Sequence, residues 1–241
     1  MDKKYELTNE TITIDDHVLH QIRALIDFAE VKAGELGGFI ESEDNLSHDG
    51  HAWVHPVAYA YGNARVHGDA RICGHAAVSG NAEVFGNAYV IGHAHVLGDA
   101  HVYGNGYVSG SAYIYGESQI YDHAHVFGDA RIYGTAHVHG NVHVSGDASI
   151  GWNANLKSDK DYTTITGFGT MQATATFYPC GDGEIRVTSG DYSGTIQGFR
   201  EYVEGIEDQV IAEEYRTITD LMEFHFKHRG EQDDFITANP A

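Results

Sequence analysis

A six-residue repeat fills the middle of the chain and restricts the folds that this sequence can adopt. From Ala52 the sequence divides into hexads such as residues 64–69, and the register continues without insertion to Asn153. The first position is Ala in nearly every hexad, the third is Val or Ile from Val66 to Ile150, and the sixth is mostly Asn, Asp or His. The fifth position is Gly except at Pro56, Asp122 and Trp152. Disordered glycine-rich sequence, the alternative interpretation, does not keep a β-branched residue at every sixth position.

Each position of the hexad has a physical reason. Positions one to four alternate between inward small or β-branched residues and outward variable ones, which is the pattern of a strand with one buried face. Gly at position five and Asn, Asp or His at position six readily adopt the positive φ of a tight corner. Three hexads close a triangle of about eighteen residues, so Ala64, Ala82 and Ala100 stack at about 4.8 Å. The repeat therefore predicts a mainly β fold, a triangular parallel β-helix of about six coils.

The segments on either side of the repeat are predicted to cap the open ends of the solenoid, because unpaired edges need cover. We divide the chain into an N-terminal β/α cap with an imperfect first coil (residues 1–51), the solenoid (residues 52–156) and a small C-terminal α+β domain (residues 157–241).

The cap shows weaker patterns than the repeat. Residues 5–8 and 10–15 alternate as the two strands of a hairpin would, and residues 18–28 are apolar with either period possible. Ile40 and Leu46 lie six apart, as inward residues of a first coil would, and two extra residues then precede the regular repeat.

The C-terminal domain begins with a charged linker and continues with strands predicted over residues 162–166, 170–178 and 184–189. A single amphipathic, acidic helix is predicted from about residue 198 to residue 226. One side of this helix is expected to carry Val203, Ile206, Val210, Ile218 and Leu221.

The charge and the cysteines restrict partners and compartment. The formal net charge is −21, which argues against a grip on phosphate backbones, so we expect no direct nucleic-acid binding. Cys73 and Cys180 follow no spacing motif, which favours a reducing cytoplasm. The first residues do not resemble a signal peptide and no stretch has the length of a membrane span, so we expect a cytoplasmic protein without a membrane partner.

Large aromatic side chains occupy outward positions of the repeat in columns eighteen residues apart. Such columns stabilise a sheet by stacking, and flat aromatic faces poor in charge also bind a second protein or a second copy. We expect at least one face to be an interface, with a protein partner and a homo-oligomer, dimer or trimer. The candidate interaction residues are Tyr61, Leu97, Tyr115 and Tyr133 in one column, Phe85, Tyr103 and Tyr121 in another, and Tyr89 and Tyr107 in a third.

Histidines are frequent in the repeat, but their columns do not complete a ligand set. His75 and His93 share a corner column that continues as Ser111 and Asp129, so no converging cluster forms within one chain. We therefore expect no metal and no cofactor, and no catalytic residue is assigned.

The hexads resemble those of the hexapeptide-repeat acyltransferases over about residues 52–156. The resemblance implies a left-handed coil, an acyl-CoA or acyl-carrier donor bound between subunits, and a histidine general base, often beside a loop that interrupts the repeat. No such loop interrupts this repeat between Ala58 and Asn153, and nothing selects one histidine among candidates such as His95, His101 and His137.

A resemblance that includes the cap is to phage, prophage and bacterial hexapeptide proteins labelled transferases or polymer-forming proteins. Residues 31–54, and residues 194–201 leading into an acidic helix, are similar to segments of those proteins. The resemblance implies a phage or prophage accessory protein that acts in the cytoplasm of a bacterial host.

Three hypotheses of function follow. The first is a non-enzymatic interaction solenoid, such as an inhibitor that occludes a host defence protein. The second is an acyl-CoA-dependent acyltransferase with its site at a subunit interface. The third is a nucleic-acid mimic acting through the acidic caps; the same residues are also what a solvated helix face would carry. Its candidate residues are Glu201, Glu204, Glu207, Asp208, Glu213 and Glu214.

Overall fold

The computed structural model describes residues 3–169 and 173–228. The chain divides into two compact units, Met1–Asp159 and Lys160–Ala241. The first contains the cap and the solenoid, and the second contains a four-stranded sheet with two helices.

The repeat forms a parallel β-solenoid with three sheets, so the triangular β-helix is confirmed. Each coil contributes one two-residue strand to each sheet, and paired residues lie eighteen apart, as Tyr89 does from Tyr107. Sheet 1 contains Tyr59–Ala60, Ala77–Val78, His95–Val96, Tyr113–Ile114, Arg131–Ile132 and Ser149–Ile150. Sheet 2 contains Trp53–Val54, Arg71–Ile72, Tyr89–Val90, Tyr107–Val108, His125–Val126 and His143–Val144. Sheet 3 contains Arg65–Val66, Glu83–Val84, His101–Val102, Gln119–Ile120, His137–Val138 and Asn155–Leu156.

The core and the corners follow the hexad chemistry. The inward Ala and Val or Ile of each coil, such as Ala100 and Val102, are fully buried. The position-five glycines adopt positive φ, and so do Asp122 and Trp152 at the same position, with φ of 57° and 54°. At the third non-glycine position, Pro56, the positive φ falls instead on the next residue, Val57, at 65°. The left-handed region that the corner requires is therefore occupied even where the sequence departs from Gly.

The cap is built from three strands: β1 (Tyr5–Ile14), β2 (His17–Ala24) and β3 (Leu36–Ile40). β1 and β2 pair antiparallel around a two-residue turn whose residues Asp15 and Asp16 both have positive φ. The predicted hairpin within residues 5–15 is therefore wrong, because those residues form one strand and the partner strand is β2. The described part of the cap contains a 3₁₀ turn, Glu43–Asn45, and no α-helix.

The first coil belongs to the solenoid, whereas the division by sequence groups it with the cap. β3 joins sheet 1 by parallel pairing of Ile40 with Ala60, and Leu46 forms a bridge with Val66. Both pairs lie twenty residues apart instead of eighteen, because of the two extra residues that follow Leu46. With β3 included, the solenoid has about seven turns rather than the six predicted.

The second unit contains an antiparallel sheet in the order β4 (Thr163–Phe168), β5 (Ala173–Pro179), β6 (Ile185–Ser189) and β7 (Tyr192–Thr195). β7 was not predicted, and residues 170–172 of the predicted strand 170–178 lie outside the described residues.

The predicted single helix is two helices, α1 (Ile196–Glu204) and α2 (Gln209–Lys227). Thr195 caps α1 by accepting a hydrogen bond from the Gly198 amide. The break follows from Gly205, which ends α1, and from Asp208, whose carboxylate accepts from the amides of Val210 and Ile211 and starts α2. The core between sheet and helices includes Phe177, Val187, Phe199, Val203, Ala212, Ile218 and Met222.

Candidate interaction surface

Five stacked rings form one continuous ladder along sheet 3: His67, Phe85, Tyr103, Tyr121 and His139. Successive ring centroids are 4.9, 4.9, 5.0 and 4.8 Å apart, with interplanar angles between 2° and 5°. Each ring hides the face of the next and presents only an edge to solvent, and burial raises the pKa of the Tyr103 and Tyr121 phenols. This predicted column therefore stabilises coil stacking and offers little ring surface to a partner.

The predicted column on sheet 1 is interrupted. Tyr115 and Tyr133 stack with ring centroids 5.4 Å apart, and the Tyr133 ring lies over Gly151, where a Cβ would be 2.1 Å from it. Tyr61 donates a hydrogen bond of 3.0 Å to a carboxylate of the β1–β2 turn, and Leu97 is half-buried. These residues share one face but do not form one continuous apolar patch.

Sheet 2 has two exposed aromatic side chains, whereas sheet 1 has one, Tyr113 at 42%. Tyr89 and Tyr107 stack at 6.0 Å, and the guanidinium of Arg71 lies 5.7 Å from the Tyr89 ring centroid while it pairs with Glu30. Tyr89 is 37% exposed and Phe127 is 39% exposed, so both offer ring surface to solvent. Sheet 2 is therefore the solenoid face with two exposed aromatic side chains on adjacent columns.

The outward positions of sheet 2 carry no charged residue beyond its first coils, although the carboxylate of Asp159 lies 3.4 Å from His143 in the last coil. From Cys73 to Ser145, its outward positions contain no Asp, Glu, Lys or Arg, in a chain of net charge −21. Those positions carry Cys73, Tyr89, Ile91, Tyr107, Ser109, His125, Phe127, His143 and Ser145.

Sequence reasoning missed three exposed aromatic residues of the solenoid: Phe127 on sheet 2, Tyr113 on sheet 1 and Trp152 at a corner. The signal was present in the same spacing of eighteen, because Phe127 lies between Ser109 and Ser145 in its column. Small neighbours on both sides leave the Phe127 ring uncovered. A search for long columns of aromatic residues does not detect such an isolated ring.

The corners beside the sheets are hydrogen-bonded rows of side chains. The Asn63 amide donates to Asn81 at 2.9 Å, and the Asn81 amide donates to Asp99 at 2.8 Å. A neighbouring corner repeats the arrangement with Asn87, Asn105 and His123. These polar groups satisfy one another, so we assign the corner residues a structural role.

A polar cavity of about 430 Å³ lies beside the first coil, next to the segment after Leu46 that contains the two extra residues. His67 forms one wall and stacks on Phe85, so its ring face is already covered. The cavity holds both carboxylates and cations and can accept a small polar group. Its lining includes Asp44, Ser47, Asp49, Arg65, His67 and Glu83.

The histidines contact one another in pairs, His75 with His93 by stacking and His125 with His143 edge to face, without forming a ligand set. His75 and His93 are 5.0 Å apart, and His125 and His143 are 5.1 Å apart between ring centroids. Burial lowers the pKa of His125, as do the neighbouring imidazoles of His143 and His123, so the neutral form is favoured. Within residues 3–169 and 173–228, no group of three or more His, Cys, Asp or Glu side chains is placed to hold a metal ion.

Half of the candidate acidic residues of the C-terminal helices have structural partners. Arg216 bonds Glu204 at 3.0 Å and Glu213 at 3.2 Å, and Asp208 is the N-cap of α2. The carboxylates therefore shape the helix pair in addition to contributing negative charge. The other candidates, Glu201, Glu207 and Glu214, are exposed.

In the described part of the chain, no helix is both long enough and apolar enough to cross a membrane. No protein-family model matches the sequence, and a search of curated proteins finds no match either.

Proposed function

We propose that this chain is a non-enzymatic protein-binding solenoid and that the outward side of sheet 2 is its contact surface. The observation that supports the proposal is an uncharged, partly aromatic sheet face on a strongly acidic chain. Uncovered aromatic side chains on a flat, rigid surface are the groups that most often anchor a protein interface.

The chemistry of the sheet 2 surface indicates which kind of partner protein is complementary to it. Tyr89, Ile91 and Phe127 supply apolar area, and the phenol hydroxyls of Tyr89 and Tyr107 supply hydrogen-bonding groups at its margin. Two acidic residues, Asp129 and Asp147, lie at the corner that follows the last two strands of sheet 2. A folded protein with a flat apolar patch and a basic rim is complementary to such a surface.

The resemblance to phage and prophage hexapeptide proteins extends the proposal to a biological setting. The partner is then a protein of the bacterial host, and binding along the rigid face occludes that protein's own working surface. Inhibition of a host defence protein in the cytoplasm is the effect that this arrangement would produce.

The test uses three immobilised proteins: the wild-type chain, Phe127→Asp and Val57→Asp. Each is exposed to a bacterial lysate, a retained protein is identified and purified, and its binding to the three is then compared. Val57 is a matched control because it is an exposed aliphatic residue at a corner, and its φ of 65° suits Asp. We expect Phe127→Asp to weaken binding by about tenfold or more, as loss of an aromatic anchor does, and Val57→Asp to leave it unchanged. Binding that Phe127→Asp leaves unchanged would contradict the proposal.

The other hypotheses are outcomes of parallel measurements. Saturable heat on titration with acetyl-CoA would favour the acyltransferase hypothesis instead, with a site between subunits. Release of nucleic acid from a nuclease or a DNA-binding protein, lost on neutralising Glu201, Glu207 and Glu214, would transfer it to mimicry by the helices. Concentration-dependent self-association that Phe127→Asp abolishes would make a second copy the occupant of sheet 2.

A further inference from the structure

The outer side of α2 carries an apolar stripe that the core does not use. Val210, Leu221 and Phe224 are 70%, 57% and 59% exposed. The sequence pattern groups Val210 and Leu221 with Ile218 on one side of a helix. The structure separates them, because Ile218 is buried with Ala212, Thr219 and Met222, whereas Val210 and Leu221 are exposed. α2 therefore has two apolar sides, one packed and one open.

The open side has the spacing of a helix–helix seam. The six positions on this side, three apolar and three polar, are separated by alternating steps of four and three, which keeps them in line along a helix that pairs with another helix. An apolar groove of about 630 Å³ continues the stripe, with Phe168, Val210 and Ile218 in its walls. The positions of the seam are Val210, Glu214, Thr217, Leu221, Phe224 and His228.

We propose that α2 pairs antiparallel with α2 of a second copy of this chain through this seam. In the antiparallel register, Thr217 lies opposite Leu221 of the second copy on both sides of the two-fold axis. Glu214 then lies opposite Phe224 of the second copy, where the carboxylate can turn outward to solvent and leave its aliphatic stem in contact.

Charge complementarity selects the second copy and the antiparallel direction. Residues Glu213, Asp220 and Lys227 flank the seam on one side, and antiparallel pairing places each Glu213 beside Lys227 of the other copy. The two Asp220 residues approach near the axis, where each is already paired with Arg200 of its own chain at 2.5 Å. Two favourable cross-pairs therefore form in addition to the pairs that Glu213 and Lys227 make within their own chain, with Arg216 and Glu223. The one like-charge contact is neutralised from within each chain.

Parallel pairing lacks this complementarity. It would place the two Glu214 side chains directly opposite each other inside the seam, where like charges are destabilising. It would also separate Glu213 from Lys227 of the second copy. The same residues that permit an antiparallel pair therefore oppose a parallel one.

The first test is the mass in solution of the full chain by light scattering and sedimentation across a concentration series. Leu221→Glu is the disruptive variant, and Val18→Glu is the control, since Val18 is an aliphatic residue of β2 with 51% exposure against 57% for Leu221. We expect a concentration-dependent dimer for the wild type and Val18→Glu, with about 10- to 100-fold weaker association for Leu221→Glu, the effect of losing one buried leucine contact. A wild type that stays monomeric, or a dimer that Leu221→Glu leaves intact, would overturn the proposal.

The second test establishes direction and does not depend on a hydrophobic substitution. In Glu213→Lys the side chains at positions 213 and 227 are both basic, and in Lys227→Glu they are both acidic. Two copies of the same variant therefore bring like charges together in the antiparallel pair. We expect each alone to associate about tenfold more weakly than the wild type and an equimolar mixture to recover the dimer. Helical circular dichroism of each variant reports whether α2 survives loss of its own pairs, Glu213 with Arg216 and Lys227 with Glu223.

Failure of the mixture to recover association refutes the antiparallel seam. This result is separate from the proposed function, because Phe127→Asp on sheet 2 leaves α2 unchanged and the α2 variants leave sheet 2 unchanged.

Discussion

Two corner glycines offer a matched test of how tightly the coils stack. Gly110 and Gly146 have nearly the same φ, 69° and 64°. A Cβ on Gly110 would lie 2.7 Å from both the amide nitrogen and the carbonyl oxygen of Gly128, whereas a Cβ on Gly146 meets nothing within 4 Å. Substitution by Ala therefore introduces the same backbone strain at both sites and a backbone collision at only one.

The magnitudes follow from these contacts. An Ala in the left-handed region costs about 1 kcal/mol relative to Gly, and that cost applies to both variants. At Gly110 the collision is with backbone, so the two coils must separate locally, which strains the bond of 2.8 Å that the Ser111 amide donates to the Gly128 carbonyl. Losing one or two such bonds costs about 1 kcal/mol each. We expect about 3 kcal/mol for Gly110→Ala and about 1 kcal/mol for Gly146→Ala.

The measurement is the free energy of unfolding from urea titrations of both variants, followed by far-ultraviolet circular dichroism. Hydrogen exchange adds a local observable, since Gly110→Ala is expected to increase exchange at the amides that bridge its coil and the next one. Equal losses of stability for the two variants would refute the reasoning, because equal losses would mean that φ strain alone decides these corners and that the stacking distance has no effect.

Four residues provide further predictions, each with a defined sign. Burial lowers the pKa of Lys4 to about 8, so the folded chain loses this unfavourable buried charge above that pH. The free energy of unfolding should therefore rise by up to about 2 kcal/mol between pH 8 and pH 10 in the wild type but not in Lys4→Met. The lowered pKa of His125 means that the unfolded chain binds protons more readily, so the urea midpoint should fall as the pH drops below 6.5, and less steeply in His125→Gln. Asp208→Ala should destabilise the second unit by about 1 kcal/mol in a thermal melt, while Asp208→Asn, which retains the cap, should not. Ser109→Phe should stack on Phe127, raising the melting temperature and weakening binding at sheet 2.

The solenoid could be predicted because every column of the hexad reports a local requirement. A β-branched residue such as Val108 marks a buried strand position, and Gly110 marks a positive φ, so the pattern determines the register without knowledge of distant contacts. The first coil could be predicted only in part, because its two extra residues shift the pairing from eighteen to twenty and obscure its membership of the solenoid.

The two capping regions could not be predicted to the same degree, because their structure depends on contacts distant in sequence. β1 reads as two short strands because charged and polar residues alternate along it, and its single partner β2 becomes evident only from the pairing. The side of α2 that faces the core depends on where the break at Gly205 and the cap at Asp208 set its rotation. A single helix through that break groups Val210, which is exposed, with Val203, which is buried.

Outward aromatic residues of this solenoid serve two purposes, and the neighbours eighteen residues away distinguish them. Phe85 has a ring on each side in its column, so both of its faces are covered and its contribution is to stability. Phe127 has serines on each side, so the same kind of side chain in an equivalent hexad position remains available to a partner. A long aromatic column therefore indicates a stacked, self-satisfied ladder, and the isolated ring between small residues is the better indicator of a binding surface.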